Sequence, residues 1–337
     1  MTSEFISLDH GSGGKIAHRL TAELLLPLFD NPILSDLHDG AVLTLKDNTR
    51  VAFSTDTFTV TPLFFPGGDI GELAVNGTVN DVAMCGATPL FISLALIIEE
   101  GFPMADLNRI LQSIQKAAAE AGVTVVTGDT KVVPKGAADG LFINTSGIGI
   151  IPDNVAIGST VARPGDRIIL SGTMADHGMT IMTQREGLSF DSNIQSDSAP
   201  LNHMVKKILA ASDKVHVLRD PTRGGVGTTL NEIAESSRVG IDLKENQLPV
   251  RDAVAGVCEL LGFDPLYVAN EGKLLAFVAA EDVEAVLAAI RSDPYGREAV
   301  VIGEVTADHP CQVVMETRIG GRRIVDMLTG EQLPRIC

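Results

Sequence analysis

The sequence predicts an α/β (equally α+β) protein of two domains, on three observations. Strand-like apolar runs alternate with stretches of helical period in both halves of the chain. At 337 residues it exceeds the ~250–300 at which one core stops growing. A Pro164-Gly165 interruption within Ala156–Arg167 parts the halves. The expected division is an N-terminal domain over 1–155, a C-terminal α/β domain over 156–310 and a mobile tail over 311–337.

In the first half, Arg50–Thr55 is a short buried strand running into Asp56. Asp69–Cys85 has helical period, with Leu73, Ala74, Gly77, Val79, Val82 and Ala83 apolar or small, and Gly86 and Pro89 close it. Leu90–Ile98 is a β-rich apolar run. Met104–Ala121 is an amphipathic helix ending at Gly122. Val123–Thr127 is a buried strand that enters Gly128-Asp129, and Leu141–Ile151 is another, stopped by Pro152.

The second half continues in this style. Arg167–Ser171 reads as a strand, then a glycine-containing turn over Gly172–Gly178. Val226–Ser237 is helical and Gly240–Leu243 a short strand. Leu274–Ala279 is a strand, Glu281–Arg291 a helix led by Asp282, and Val300–Val305 the last strand. Thr317–Cys337 has no period and reads as a tail that lies on the body or moves freely, with a thiol at its end.

Composition excludes several functions. A net charge of −17 argues against gripping nucleic-acid phosphates or anionic lipid. The longest apolar stretch, Leu90–Ile98, is interrupted by Ser93 and falls short of the ~18–20 residues of a membrane span. Met1–His10 has no basic segment leading an apolar run, so no signal peptide is expected. Cys85, Cys258, Cys311 and Cys337 form no paired spacing, which supports neither a disulfide framework nor a zinc site. A soluble, cytoplasmic protein is expected.

Several carboxylates fall at positions suited to phosphate and metal. Asp56 (STDT) and Asp129 (TGDT) follow apolar strands, and Asp81 follows Asn80 on the helix 69–85. Carboxylates gathered there suit Mg²⁺ shared with phosphate; the alternative is that each merely caps a turn or a helix. His10–Lys15 (HGSGGK) offers Gly11, Gly13, Gly14 and the cation of Lys15 to phosphate oxygens. RDPTRGG, with Thr222, Arg223 and Gly224, leads into a helix N-terminus. Neither is a Walker A loop nor a GxGxxG turn. Glu271, in NEGK, is either a general base or a solvated turn carboxylate. Cys337 is either inert or a thiol on an arm; seven extended residues span ~23–25 Å. The α-carboxylate raises its pKa and Arg335 opposes that, so the net sign is left open.

Taken together, HGSGGK, the block 54–87 (STDTFTVTPLFFPGGDIGELAVNGTVNDVAMCGA), TGDTKVV at 127–133, RDPTRGG, NEGK and the terminal PRIC resemble the hydrogenase maturation family HypE. That family belongs to the aminoimidazole ribonucleotide synthetase-like ATP-binding superfamily. The resemblance implies two α/β domains, the N-terminal one binding ATP and pairing in a homodimer. It implies that a HypF-type carbamoyltransferase loads a carbamoyl group on Cys337. ATP then drives its dehydration to an S-cyanide, and cyanide passes to iron on a HypC–HypD scaffold.

Under that resemblance Mg²⁺ lies on Asp56 and Asp81, with Asp129 and Asp39 as further candidates. Gly11, Gly13, Gly14, Lys15, Gly128, Thr222, Arg223 and Gly224 cover the nucleotide. Lys131 and Glu271 orient the carboxamide and take its protons, although Lys131 is as readily an ion-pair partner of Asp129. One departure is His38-Asp39-Gly40-Ala41, where superfamily relatives carry an Asp-Asp-Ala-Ala type motif. Two readings compete: a small-molecule synthetase of the superfamily, which makes no use of Cys337, and a non-catalytic nucleotide-binding scaffold, which has no turnover.

Overall fold

The computed structural model describes residues 5–11, 13–29, 31–187, 194–330, 333 and 335–337. Ser12 of the glycine segment and Glu331, Gln332 and Pro334 of the tail lie outside the described residues. The chain opens with α1 (Lys15–Leu20), which passes through one π turn into α2 (Leu26–Phe29). Next come β1 (Ala41–Thr44), β2 (Arg50–Phe58) and a small hairpin, β3 (Phe64–Phe65) and β4 (Gly68–Asp69). Helix α3 (Ile70–Met84), β5 (Thr88–Glu99), α4 (Met104–Ala121), β6 (Thr124–Val133) and β7 (Leu141–Ile151) complete the first unit.

Five strands pair in the order β1-β2-β7-β5-β6, all antiparallel except β5 with β6. One face of this sheet is closed by α3 and α4. Asp69 caps α3, accepting from Gly71 N (2.8 Å) and Glu72 N (3.1 Å). Helix α3 is buried on almost every side, and its small residues let it sit between sheet and neighbour. A Cβ at Gly71 would lie 2.7 Å from the Ile110 carbonyl, and one at Gly77 2.8 Å from the Phe58 ring. Phe58, Leu73, Val79, Ile110, Ile114 and Ile143 form the resulting core. The opposite face carries Phe53, Phe91, Ile97, Ile148 and Ile150, each 38–47% exposed.

The second unit contains β8 (Arg167–Leu170), α5 (Asp176–Arg185), α6 (Asn202–Ala211), β9 (Val215–Arg219), α7 (Gly225–Ser237) and β10 (Gly240–Lys244). It continues with α8 (Asp252–Leu261), β11 (Leu275–Val278), α9 (Val283–Arg291), β12 (Val300–Thr306), β13 (Val313–Glu316) and β14 (Arg322–Val325). Its seven strands run β14-β13-β10-β12-β8-β11-β9. Val226, Leu230 and Ile233 of α7 pack on one face, and Met204, Val205, Val286 and Ile290 of α6 and α9 on the other. Ala83 and Met84 of α3 enter that second core, so the two units share apolar contact.

Three differences from the sequence expectation have physical causes. Strand β6 continues through Gly128 and Asp129, because both lie in register with Leu94 and Ala95 of β5. Helices α5, α6 and α8 and strands β9, β13 and β14 were not expected. Helix α5 is buried nearly all round and carries Asp176, His177 and Thr180 among its buried residues, so no apolar stripe betrays it. Beyond Glu316 the chain is not a featureless tail: Arg322–Val325 pairs antiparallel with β13 as an edge strand, only Val325 being buried.

Candidate active site

Three chain segments bring carboxylates to one point. Asp39 precedes β1, Asp81 lies near the end of α3, and Asp220 follows β9 at a strand's carboxyl end. One oxygen from each lies within 4.8 Å of the others. Ser54 Oγ donates to Asp81 Oδ2 (2.7 Å), and Arg219 Nε stands 2.5 Å from Asp39 Oδ1. Arg219 also reaches Glu232 (2.9 Å). Asp39 Oδ2 is buried and accepts no hydrogen bond among the described residues.

Burial pushes Asp39 and Asp81 well above the carboxylate range; Asp220 and Glu232 add to it at Asp39, against Arg219, and Asp220, Asp56 and Asp39 at Asp81. Burial raises Asp220 to about 6, with Arg219 opposing and Asp56 reinforcing. An all-oxygen, electron-rich donor set with a spare buried oxygen fits a hard divalent cation.

A cavity of about 280 Å³ opens over this cluster. Gly13, His38, Asp56, Thr222, Arg223, Glu271 and Cys337 share its wall with the three aspartates. Asp56 sits within β2 and faces Arg223 Nη2 at 3.8 Å. Burial, aided by Arg219, lowers the His38 pKa to about 4.

The expected metal set is therefore revised. Asp81 belongs to the cluster and Asp56 stands beside it, but Asp129 does not. Strand β6 lies three places from β2, roughly 14 Å away at ~4.8 Å per strand. There Lys131 Nζ is bonded to Asp129 (2.7 Å), on the sheet's open face and not in the cavity. Asp220, Arg219, Glu232 and His38 were missed. A signal for Asp220 does exist in the β-branched and apolar VHVLR before it, which forms strand β9.

The glycine segments divide similarly. Gly13, at φ +77°, packs against Arg223; a Cβ there would lie 2.8 Å from the Arg223 Cβ. Gly11 and Gly224 border a smaller adjoining pocket with Cys337. Gly14 abuts the Leu328 carbonyl, and Lys15 Nζ is bonded to Asp326 Oδ2 (2.6 Å), so that cation is turned to the segment after β14. Asn270, unassigned in the sequence reading, ties the site together. Its amide donates to Pro221 O and Val268 O (3.0 Å each), and its Oδ1 accepts from Ala175 N (2.7 Å).

Glu271 is 3% exposed and its Oε1 has no hydrogen-bond partner among the described residues. Burial, then repulsion from Asp56, Asp220 and Asp197, holds its pKa well above the ordinary value. Its own N–H donates to Asp197 Oδ1 (3.0 Å), and Lys273 Nζ pairs with Asp197 Oδ2 (3.2 Å).

The chain's end enters this cavity. Thr59 N donates to Cys337 O (2.9 Å), Thr61 N to Arg335 O (3.3 Å), and Arg335 Nε to Thr59 O (2.8 Å). Residues 335–337 thus lie along 59–61, held there by these bonds. Ile336 is 4% exposed and joins the first core. The Cys337 thiol is pushed up by burial and Glu271, and Arg223 opposes it. The sequence had named Arg335 as the opposing cation; Arg335 instead pairs with Asp139, away from the thiol.

Two abutting α/β units with a carboxylate cluster over one crevice define an AIR synthase-related protein. Residues 37–151 match the AIR synthase related protein N-terminal domain and residues 163–316 its C-terminal domain. "Carbamoyl dehydratase HypE" of Cupriavidus necator is 55% identical over 332 residues, 98% of this chain and 95% of that one. A crystal structure of a HypE-HypF complex superposes with TM-score 0.87 at 48% identity, covering 92% of this chain and 99% of that chain. One of HypE in complex with ATP gives 0.83 at 53% identity, covering 99% and 100%. The chain belongs to the carbamoyl dehydratase HypE family and is an enzyme.

Proposed function

We propose that this enzyme binds ATP and dehydrates an S-carbamoyl group on its own Cys337 to an S-cyanide, the source of the cyanide ligands of a [NiFe]-hydrogenase. The observation that carries this is the seating of Cys337 in the cavity that Asp39, Asp81, Asp220 and Glu271 line. The ATP complex of a 53% identical HypE supports the nucleotide.

An amide oxygen leaves poorly. Its attack on the γ-phosphorus of ATP expels ADP and leaves an O-phosphorylated imidate. Loss of phosphate and of the two N–H protons then gives the nitrile, so the amide oxygen departs in phosphate and atoms balance. Arg223, beside both Asp56 and the chain's end, orients the carboxamide and its developing charge. Glu271, whose raised pKa makes its carboxylate a stronger base, takes a nitrogen proton through Oε1. Mg²⁺ held by Asp39, Asp81 and Asp220 would neutralise phosphate charge. Gly11, Gly13, Gly14, Thr222 and Gly224 cover the phosphates, and Lys15 joins them on leaving Asp326.

Partners follow the same reading. A HypE-HypF complex among related structures supports a HypF-type donor, and a HypC–HypD complex receives the cyanide. The open face bearing Phe53, Phe91, Ile97, Ile148 and Ile150 supports homodimerisation through the N-terminal unit, 1–155. Lys131, Asp129 and Gly128, too far from their own cavity, act across that contact. Residues 156–310 frame the crevice, 311–337 carry the thiol, and the reaction is cytoplasmic.

Intact-mass analysis of the C-terminal peptide tests this, after incubation with carbamoyltransferase, carbamoyl phosphate and ATP. The expected sequence is gain of one carbamoyl group, then loss of one water only when ATP is present. A Cys337 that stays unmodified, or turnover undiminished in Cys337→Ala, sinks the proposal.

A further inference from the structure

The inserted tail is held through its main chain, and one of its holders lies outside every motif read from the sequence. His177, the second residue of α5, is completely buried. Its Nε2 stands 2.8 Å from the Ile336 carbonyl oxygen and its Nδ1 2.8 Å from Ser196 Oγ. A carbonyl only accepts, so Nε2 carries the ring proton. Burial keeps the imidazole pKa below its ordinary value, so the ring is neutral and Nδ1 accepts from the Ser196 hydroxyl. Ser196 Oγ in turn accepts from Ser198 N (3.1 Å). Phe65 meets the ring edge-on, with centroids 5.6 Å apart at 87°. Each ring nitrogen is used once and the plane is set.

The mount of this imidazole is also the mount of Glu271. Ala175, two residues before it, takes φ +72° and donates its N–H to Asn270 Oδ1 (2.7 Å). Adjacent residues 196 and 197 hold, respectively, the ring Nδ1 and the Glu271 N–H. The grip on Ile336 and the carboxylate facing Cys337 therefore belong to one hydrogen-bonded frame. Ile336 is one residue from the thiol, so its carbonyl direction decides where the thiol points.

We propose that His177 is the positioning residue for the inserted tail: its Nε2–H bond to the Ile336 carbonyl directs Cys337 toward Glu271, and losing it frees the tail to solvent. Its catalytic consequence rests on the function proposed above; its effect on tail exposure does not.

The test uses the full chain with His177→Leu and His177→Gln, since Gln carries an amide donor and Leu has none. The rate of iodoacetamide alkylation is followed per cysteine by peptide mass, with buried Cys85 and Cys258 as internal controls of folding. Leu should raise the Cys337 rate roughly ten- to hundredfold, the factor expected when a buried carbonyl loses its donor. Gln should recover most of the protection. The dehydration rate of carbamoylated protein should fall with Leu and return with Gln.

Unchanged Cys337 alkylation in the Leu variant overturns the proposal, as does wild-type dehydration by it. If Cys85 and Cys258 also react in the Leu variant, Gln decides: protection of all three supports the assignment, and an exposed Cys337 refutes it. Altered alkylation in a protein whose wild type performs no dehydration would leave His177 as tail holder and refute only the reaction.

Discussion

Asp220→Asn isolates the electrostatic tension of the carboxylate cluster. Asp220 is buried, and its folded-state pKa stands at about 6 against an ordinary 3.8. A carboxyl whose pKa is raised by folding favours the folded state while protonated. That contribution is complete below pH 3.8 and is lost as pH rises through about 6. Two pKa units correspond to about 3 kcal/mol, so at pH 8 the ionised group opposes folding by up to that amount when no cation is bound. Asn keeps the shape and removes the charge. In chelator-treated protein at pH 8 the variant should melt higher than wild type, by up to roughly 6–12 °C for a cooperative unit of this size. At pH 4 the two should coincide. Adding Mg²⁺ should raise the wild-type melting point and leave the variant nearly unmoved, because one hard ligand is gone. The same variant should lose at least about 10²-fold in dehydration rate. A variant no more stable than wild type at pH 8, or equally stabilised at both pH values, would refute the reasoning.

Glu271→Gln should preserve carbamoylation of Cys337 but slow the ATP-dependent loss of water by about 10²–10⁴-fold, read by intact mass against time. Ile148→Asp places a charge between Phe53 and Phe91, its register partners on the open face, and should convert a dimer to monomer in sedimentation velocity. Lys131→Ala and Cys337→Ala should each be inactive alone, and mixing them should restore dehydration if, as proposed, the chain carrying Cys337→Ala supplies Lys131 across a dimer contact. No recovery after subunit exchange would return Lys131 to an ion-pair role with Asp129.

Local signals were legible where a few neighbouring residues carry them. The helix Met104–Ala121 with its Gly122 stop, and the strand Leu141–Ile151, match the structure at both ends. Asp69 reads as the start of a helix because its side chain caps two amides within three residues. Helix α5 and strand β14 escaped for opposite reasons: one is buried all round with polar residues, the other exposed on all but Val325. Neither has the one-sided burial that makes a period.

The chain's own order of residues established the carboxylate-rich, glycine-rich chemistry, the terminal thiol and the family. Folding chose which carboxylates meet. Asp39 and Asp220, held by elements of different sheets, converge with Asp81, while Asp129 is carried off along an edge strand. It also seated Cys337 beside Thr59, 278 positions away in sequence, and put a buried histidine behind it. Capping and periodicity act over about four residues, so they are written locally. Burial and the meeting of charges depend on packing between distant segments, and no short stretch of sequence encodes that separation.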